Sequence, residues 1–231
     1  MLTPGSDPVI IAQNLSRIYT MGETRVIGVA DIDLEVTAGE LVILKGNSGS
    51  GKSTLLSLMA GLDRATTGTL SVAGVDLVDA ARGGLTRFRR DVVGMVFQSF
   101  NLLPTLSVIE NVCLPGLLAG SDRRSIHQHA MELLDWLDLG QRLHHVPAQL
   151  SGGEMQRTAI ARALINDPMV ILADEPTGNL DSRNGQIVME LMAELNSRWK
   201  CTVIIATHSS LADPVATRTI FLKDGRINNR P

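Results

Sequence analysis

The sequence predicts an α/β fold with a mostly parallel sheet, and three observations carry that prediction. Short apolar runs recur along the chain: LVILKG at 41–46, VVGMVF at 92–97, MVILAD at 169–174 and TVIIAT at 202–207. Such runs suit strands covered on both faces. Stretches with helical spacing separate them, and strands alternating with helices argue for a parallel sheet. Composition agrees: 44% apolar and 19% charged residues are ordinary for a globular chain that buries a core. Aromatics are only 3%, so the core must be built mainly from Leu, Ile, Val, Ala and Met.

The elements follow in order. Residues 9–18 and 25–37 mix apolar runs with alternation, as edge or half-exposed strands do. After the buried strand at 41–46, a helix is expected from Lys52 to about Ala60, ended by Gly61. TGTLSVAGVDL (67–77) reads as strand, turn at Ala73-Gly74, strand. The basic run RGGLTRFRRD (82–91) reads as a solvated helix face rather than a nucleic-acid site. From about 105 to 166 strand-like runs disappear and helical spacing takes over, with Gly120 and Gly140 as expected stops. Strands resume at 169–174 and 202–207, separated by a helix from about Arg183 to Trp199. FLKDGRI (221–227) closes the pattern as a hairpin or edge strand around Asp224-Gly225.

Several function classes are disfavoured at once. The net charge is −3, which gives no support to general nucleic-acid affinity. Cys113 and Cys201 are far apart and form no CxxC pair, so two buried thiols are expected rather than a disulfide framework or zinc site. MLTPGSDPVI lacks a basic region followed by an apolar run, so no signal peptide is expected there. No stretch approaches the ~18 apolar residues a membrane span needs, so a membrane role calls for a partner.

Chemistry enters with GNSGSGKS at 46–53, which fits G-x-x-x-x-G-K-[ST] directly after a buried strand and before a helix. Gly49 and Gly51 let the backbone curl so that several N–H groups point at one centre, and the helix N-terminus adds its positive end. Lys52 can reach the terminal phosphates, and the Ser53 hydroxyl can hold magnesium. The pattern reads as an ATP or GTP site.

VILADEP at 170–176 is an apolar strand ending in two carboxylates, at the sheet edge where open α/β folds bind ligands. Asp174 is placed to hold magnesium, directly or through water, and Glu175 to polarise a water for attack on the γ-phosphate. Thr207-His208 ends the next strand at the same edge, where His208 can contact the γ-phosphate or the water. Gln98 ends the strand at 92–97 likewise and could reach the magnesium or the attacking water.

LSGGEMQR at 150–157 contains a capping box: Ser151 as N-cap, and Glu154 reaching back to the Ser151 backbone N–H. Capping does not call for Gly152 and Gly153, each costing about 1 kcal/mol relative to Ala inside a helix. A bare backbone at a helix N-terminus suits approach to an anion, so this stretch reads as a second phosphate-binding surface.

Taken together, GNSGSGKST (46–54), VFQ (96–98), LSGGEMQR (150–157), ILADEP (171–176), GNLDS (178–182) and ATH (206–208) resemble the ATP-binding cassette (ABC) ATPase family, in order and over nearly the whole chain. The resemblance implies a single ABC ATPase domain over 1–231. Its P-loop NTPase core and antiparallel β subdomain would span about 8–104 and 167–231. A helical subdomain would span about 105–166. It implies ATP and Mg2+ as cofactors. The ATP contacts would be Tyr19 on the adenine, Gly46, Asn47, Ser48, Gly49, Ser50, Gly51, Lys52, Ser53, Thr54 and Gln98. Magnesium would be held by Ser53, Gln98 and Asp174, with Glu175 and His208 catalytic. It further implies a head-to-tail homodimer in which Ser151, Gly152, Gly153, Glu154 and Asp181 meet the ATP of the other subunit.

Within the family, FNLLPTLSVIENV (100–112) and GNLDS look like the subgroup that drives lipoprotein release, macrolide export and related efflux of haem or peptides. That implies a separate membrane permease contacting the region from Gln98 to Val112, with Phe100, Leu102, Leu103 and Leu106 as apolar contacts. It places the subunit on the cytoplasmic face of the inner membrane, peripheral through the permease. Asn47, Met155 and Ser209 depart from the commonest family residues; an aspartate is usual at position 209 and serves the dimer interface. A non-transport ABC ATPase acting on DNA or ribosomes is the alternative. A long coiled coil or paired cassettes would mark it, and this acidic sequence shows neither. An ordinary phosphotransferase would leave LSGGEMQR and GNLDS unexplained.

Overall fold

The structure is a computed structural model and describes residues 8–228. The expectations for the extreme N-terminus, residues 1–7, lie outside the described residues. In chain order the elements are β1 (Pro8–Met21), β2 (Thr24–Thr37), β3 (Leu41–Lys45), α1 (Lys52–Met59), β4 (Thr67–Val72), β5 (Val75–Asp76), α2 (Arg82–Asp91), β6 (Val93–Phe97), α3 (Val108–Leu118), α4 (Arg123–Trp136), α5 (Gly152–Leu164), β7 (Val170–Asp174), α6 (Ser182–Trp199), β8 (Thr202–Ala206), β9 (Arg218–Lys223) and β10 (Arg226–Asn228).

Two sheets organise the chain. A four-stranded antiparallel sheet has the order β2-β1-β4-β5, and a six-stranded sheet has the order β10-β9-β3-β8-β7-β6. In the second, β3, β6, β7, β8 and β9 pair in parallel and only β10 is antiparallel. The β9–β10 hairpin turns on Asp224 (φ 51°) and Gly225 (φ 77°), the left-handed pair that a tight hairpin turn requires.

The continuous apolar runs are the strands buried on both faces, and their alternation divides the core in two. Val42, Leu44, Val170, Leu172, Ile204 and Ala206 join α1 and the four-stranded sheet on one side. Leu41, Ile43, Ile171, Ala173, Val203 and Ile205 join α3–α6 on the other. Burying each of the Val, Leu and Ile side chains stabilises the fold by about 1.5–3 kcal/mol. On β2 the alternation shows one wet face: Ile32, Leu34 and Val36 are buried while Asp31, Asp33 and Glu35 are exposed. In α2, Leu85 and Phe88 are buried beneath the basic residues, as a solvated helix face requires. Cys113 and Cys201 are free, buried thiols, and burial pushes the Cys201 thiol up to about 12.

Between β6 and β7 lie only helices. Gly120 (φ 84°) follows the end of α3, but Gly140 does not end α4. That helix closes at Trp136, and Asp138 takes the left-handed conformation (φ 55°). Gly140 instead opens a 3₁₀ turn, Gly140–Arg142, where an added Cβ would stand 2.6 Å from Asp135 Oδ1. Gly94 on β6 serves the same end of close approach: its Cβ would meet Ala163 O of α5 at 2.4 Å.

The topology matters most at one edge. Because β3, β6, β7 and β8 run parallel, their carboxyl ends open on the same side. There β3 leads into Gly46, β6 into Gln98, β7 into Glu175 and β8 into Thr207. This is the crevice where open parallel sheets bind ligands.

Candidate nucleotide site

A cleft of about 690 Å³ lies at that edge, lined by Tyr19, Val26, Ile27, Gly28, the loop residues Asn47–Thr54, Gln98, Glu175 and His208. Its volume lies within the range of small-molecule and cofactor sites. The loop is shaped by glycine where glycine is required. Gly51 has φ 103°, and a Cβ there would stand 2.4 Å from Gly28 O, so no other residue fits. Helix α1 begins directly after it, with no side chain capping its first turn. Among the described residues no capping side chain takes up its orphan N–H groups, which suits an anion. The loop carries Gly46, Ser48, Gly49, Ser50 and Thr54 on the same short segment, with Gly49 at φ 78°.

Lys52 is buried, and its Nζ lies in the cradle, 2.7 Å from Gly46 O and 3.2 Å from Asn47 O. It stands 3.9 Å from Glu175 Oε1. Ser53 Oγ donates to Asp174 Oδ1 at 3.0 Å across 121 residues of chain. Burial pushes the Asp174 carboxyl above its usual range; the Ser53 hydrogen bond opposes this, the Glu175 charge adds to it, and Lys52 opposes it. A half-buried carboxyl beside a hydroxyl is a pair of hard oxygen donors, the set that fits magnesium.

Glu175 follows β7 in the left-handed conformation (φ 45°), which turns its carboxylate along the sheet edge. Thr207 Oγ1 donates to Oε2 at 3.0 Å, and His208 Nδ1 lies 2.9 Å from Oε1. Both carboxylate oxygens are thus oriented from β8 and its following turn. Ser209, where the sequence departs from aspartate, accepts from Leu211 N at 3.2 Å and caps the 3₁₀ segment Ser210–Val215. Serine and aspartate are both strong caps, so this local task survives the change.

Tyr19 lines the cleft, but Arg17 stands over its ring, 4.4 Å from the guanidinium carbon to the centroid. Its hydroxyl donates to Asp63 Oδ2 at 2.8 Å. Gln98 also lines the cleft and leans on the GNLDS loop. Its backbone O accepts from Asn179 Nδ2 at 2.9 Å, and its Nε2 reaches Asn179 Oδ1 at 3.5 Å.

Among the described residues, Ser151, Gly152, Gly153, Glu154 and Asp181 do not line the cleft. They form a second cluster. The capping box is present, with Ser151 N donating to Glu154 Oε2 at 2.8 Å and Glu154 N to Ser151 Oγ at 3.3 Å. Glu154 also pairs with Arg142, Nε to Oε1, at 2.7 Å. The Arg142 hydrogen bond, then that of the Ser151 backbone, hold the Glu154 carboxyl at about 2. Asp181 caps α6 by accepting from Asn184 N at 2.9 Å. The glycines have an additional reason within the chain: a Gly153 Cβ would stand 2.4 Å from Asn184 Oδ1, and a Gly152 Cβ 3.3 Å from Leu180 Cδ2. Asn184 and Arg142 lie outside every motif, and Asn179 lies inside GNLDS without a role of its own there; Asn179 meets Gln98 and Asn184 meets Gly153 only through the fold.

Fold and cleft together define a P-loop ATPase with a second glycine-rich helix start outside its own nucleotide cleft. Residues 29–178 match the family model described as ABC transporter. An uncharacterized ABC transporter ATP-binding protein of Thermotoga maritima is 46% identical over 91% of this chain and 90% of its own length. The lipoprotein-releasing system ATP-binding protein LolD of Treponema pallidum is 43% identical over 88% of this chain and 90% of its own. The macrolide export ATP-binding/permease protein MacB of Wolinella succinogenes is 45% identical over 96% of this chain but only 34% of its own length. Among solved structures, the dimeric post-hydrolysis state of the ATP-binding cassette MJ0796 bound to ADP and Pi superimposes with a TM-score of 0.89 at 39% identity. It covers 95% of this chain and 97% of that one. The chain belongs to the ABC transporter family, as an ATP-binding, ATP-hydrolysing cassette.

Proposed function

We propose that this cassette hydrolyses ATP as a head-to-tail homodimer and drives a separate membrane permease in the export or extraction of a hydrophobic or amphiphilic cargo. The observation that carries the dimer is the separation of the two clusters. The phosphate loop and Glu175 share one cleft, whereas Ser151–Glu154 and Asp181 lie together outside it. A phosphate-binding helix start that lies outside the phosphate cleft of its own chain suits the ATP of a second copy. The dimeric MJ0796 structures support the same reading.

In the proposed site, Gly46–Thr54 cradles the phosphates and Lys52 neutralises their charge. Tyr19 holds the adenine on the ring face away from Arg17. Magnesium would be held by Ser53 and Asp174, with Gln98 approaching from β6, and when bound it supplies positive charge to the phosphate oxygens. Glu175 takes a proton from the attacking water as that water's oxygen bonds to the γ-phosphorus and the bond to the β–γ bridging oxygen breaks. Thr207 and His208 orient the Glu175 carboxylate, and His208 also reaches toward the γ-phosphate.

Division into a core with β subdomain (about 8–104 and 167–231) and a helical subdomain (about 105–166) is part of this reading. The permease would dock where these meet. A groove of about 300 Å³ there is lined by Phe97, Asn101, Pro115 and Arg162 among others. Leu103 is exposed nearby, while Phe100, Leu102 and Leu106 are half-buried. The subunit would sit peripherally on the cytoplasmic face of the inner membrane, held there by the permease; among the described residues no helix is long and apolar enough to cross a membrane. LolD and MacB support a lipoprotein, macrolide or similar cargo.

The decisive variant is Ser151→Arg. ATP binding by the monomer should persist while hydrolysis stops, measured by fluorescent-nucleotide binding and phosphate release. Normal hydrolysis in Ser151→Arg overturns the trans site.

A further inference from the structure

We propose that Asn184 is a positioning residue that fixes the start of α5, with its Ser151–Gly153 surface, against the Asp181 turn of the same subunit. The inference rests on the trans-site reading above and deepens it.

Asn184 is the third residue of α6, and both its backbone and side chain are committed to Asp181. Its N–H donates to Asp181 Oδ1 at 2.9 Å and its Nδ2 to Asp181 Oδ2 at 2.7 Å. That bidentate hold fixes the amide, so its carbonyl oxygen points away from Asp181. The oxygen fills the space above Gly153: a Cβ at Gly153 would stand 2.4 Å from Oδ1, 2.8 Å from Cγ and 3.4 Å from Cβ of Asn184. The bare glycine backbone and the pinned amide are therefore complementary, and neither can grow without moving the other.

The contact joins two surfaces that the trans reading sends to the same partner. At Gly152, one residue earlier, an added Cβ would stand 3.3 Å from Leu180 Cδ2 and 3.6 Å from Asn179 O of the same loop. Asn179 in turn is tied to Gln98 in the subunit's own cleft. A small tilt of α5 relative to Asp181 would change how Ser151 meets a phosphate, and misplacement of about 1 Å can cost about a hundredfold in rate. Asn184 blocks that tilt at Gly153, and the Asn179–Leu180 loop lies next to Gly152.

The test is a double-variant cycle on the full chain. Asn184→Ala should leave monomer ATP affinity and the melting temperature near wild type while lowering kcat by about tenfold or more. Gly153→Ala should also lower kcat, because its methyl meets the pinned amide. Gly153→Ala combined with Asn184→Ala should turn over faster than Gly153→Ala alone, since the methyl then has space. Should Asn184→Ala fold poorly, Asn184→Ser frees the same space while keeping a short donor for Asp181, and the same comparison is read on it. Wild-type kcat in both Asn184 variants overturns the proposal. So does a double variant no better than Gly153→Ala, which would mean that the glycine is needed only by the partner's ATP. An active Ser151→Arg variant sinks the trans reading itself. An inactive Ser151→Arg with an unrescued double variant sinks the role of Asn184 alone.

Discussion

His208 Nδ1 and Glu175 Oε1 stand 2.9 Å apart, joined across the carboxyl edges of two neighbouring parallel strands. With Thr207 on the other oxygen, Glu175 is the most constrained carboxylate at the cleft. Glu175→Gln keeps the shape and one acceptor oxygen, places an amide NH2 donor at the other position, and cannot accept the proton. Turnover should fall by at least about a hundredfold, with ATP binding retained and an ATP-bound dimer accumulating. Phosphate-release kinetics and size-exclusion chromatography read the two effects, and a near-wild-type rate would remove Glu175 from the chemistry.

Lys52 Nζ sits inside the Gly46–Thr54 loop on two backbone carbonyls. Lys52→Ala deletes a charge-assisted contact worth about 1.5–3 kcal/mol. The Kd for ATP should rise about ten- to a hundredfold, measured by calorimetry. Unchanged affinity refutes the phosphate role.

The Arg142–Glu154 pair makes a pH prediction with a definite sign. The folded Glu154 carboxyl is held at about 2, below its ordinary value of 4.5. Its contribution to stability is therefore present above about 4.5 and lost as pH falls toward 2. Urea melts across that window should show a smaller stability loss for Glu154→Gln than for wild type. Arg142→Ala should move the Glu154 titration upward in a carboxyl NMR experiment; a titration left at about 2 would assign the shift elsewhere.

Gly94 lies against α5 with no space for a methyl. Gly94→Ala should destabilise the fold by about 1–3 kcal/mol through overpacking, seen as a lower urea midpoint at constant slope. No change in midpoint would mean that β6 and α5 can separate freely.

Much of the architecture was legible because it rests on local patterns. VILAD and TVIIA read as doubly buried strands, and they are. The S-x-x-E spacing read as a capping box, and Ser151 and Glu154 form it. Gly140 misled because its role is close approach to Asp135 rather than a helix stop. Gly153 was read as bare backbone for an anion, yet the fold gives it a neighbour, Asn184, that no spacing announces. Asn179 lies inside GNLDS, but its tie to Gln98, 81 residues away, is announced by no spacing either.

By itself the sequence determined the chemistry carried at each strand end, because a phosphate loop, an acidic strand terminus and a capped helix each demand fixed residue types at fixed short spacings. Only the tertiary structure decided which of them share a cleft. Parallel pairing of β3, β7 and β8 brings Ser53, Asp174, Glu175 and His208 to one edge. The start of α5 lies instead against the Asp181 turn, and Ser151 does not line the cleft. Those contacts join residues distant in the chain, and non-local packing leaves no periodicity in the sequence for a reader to find.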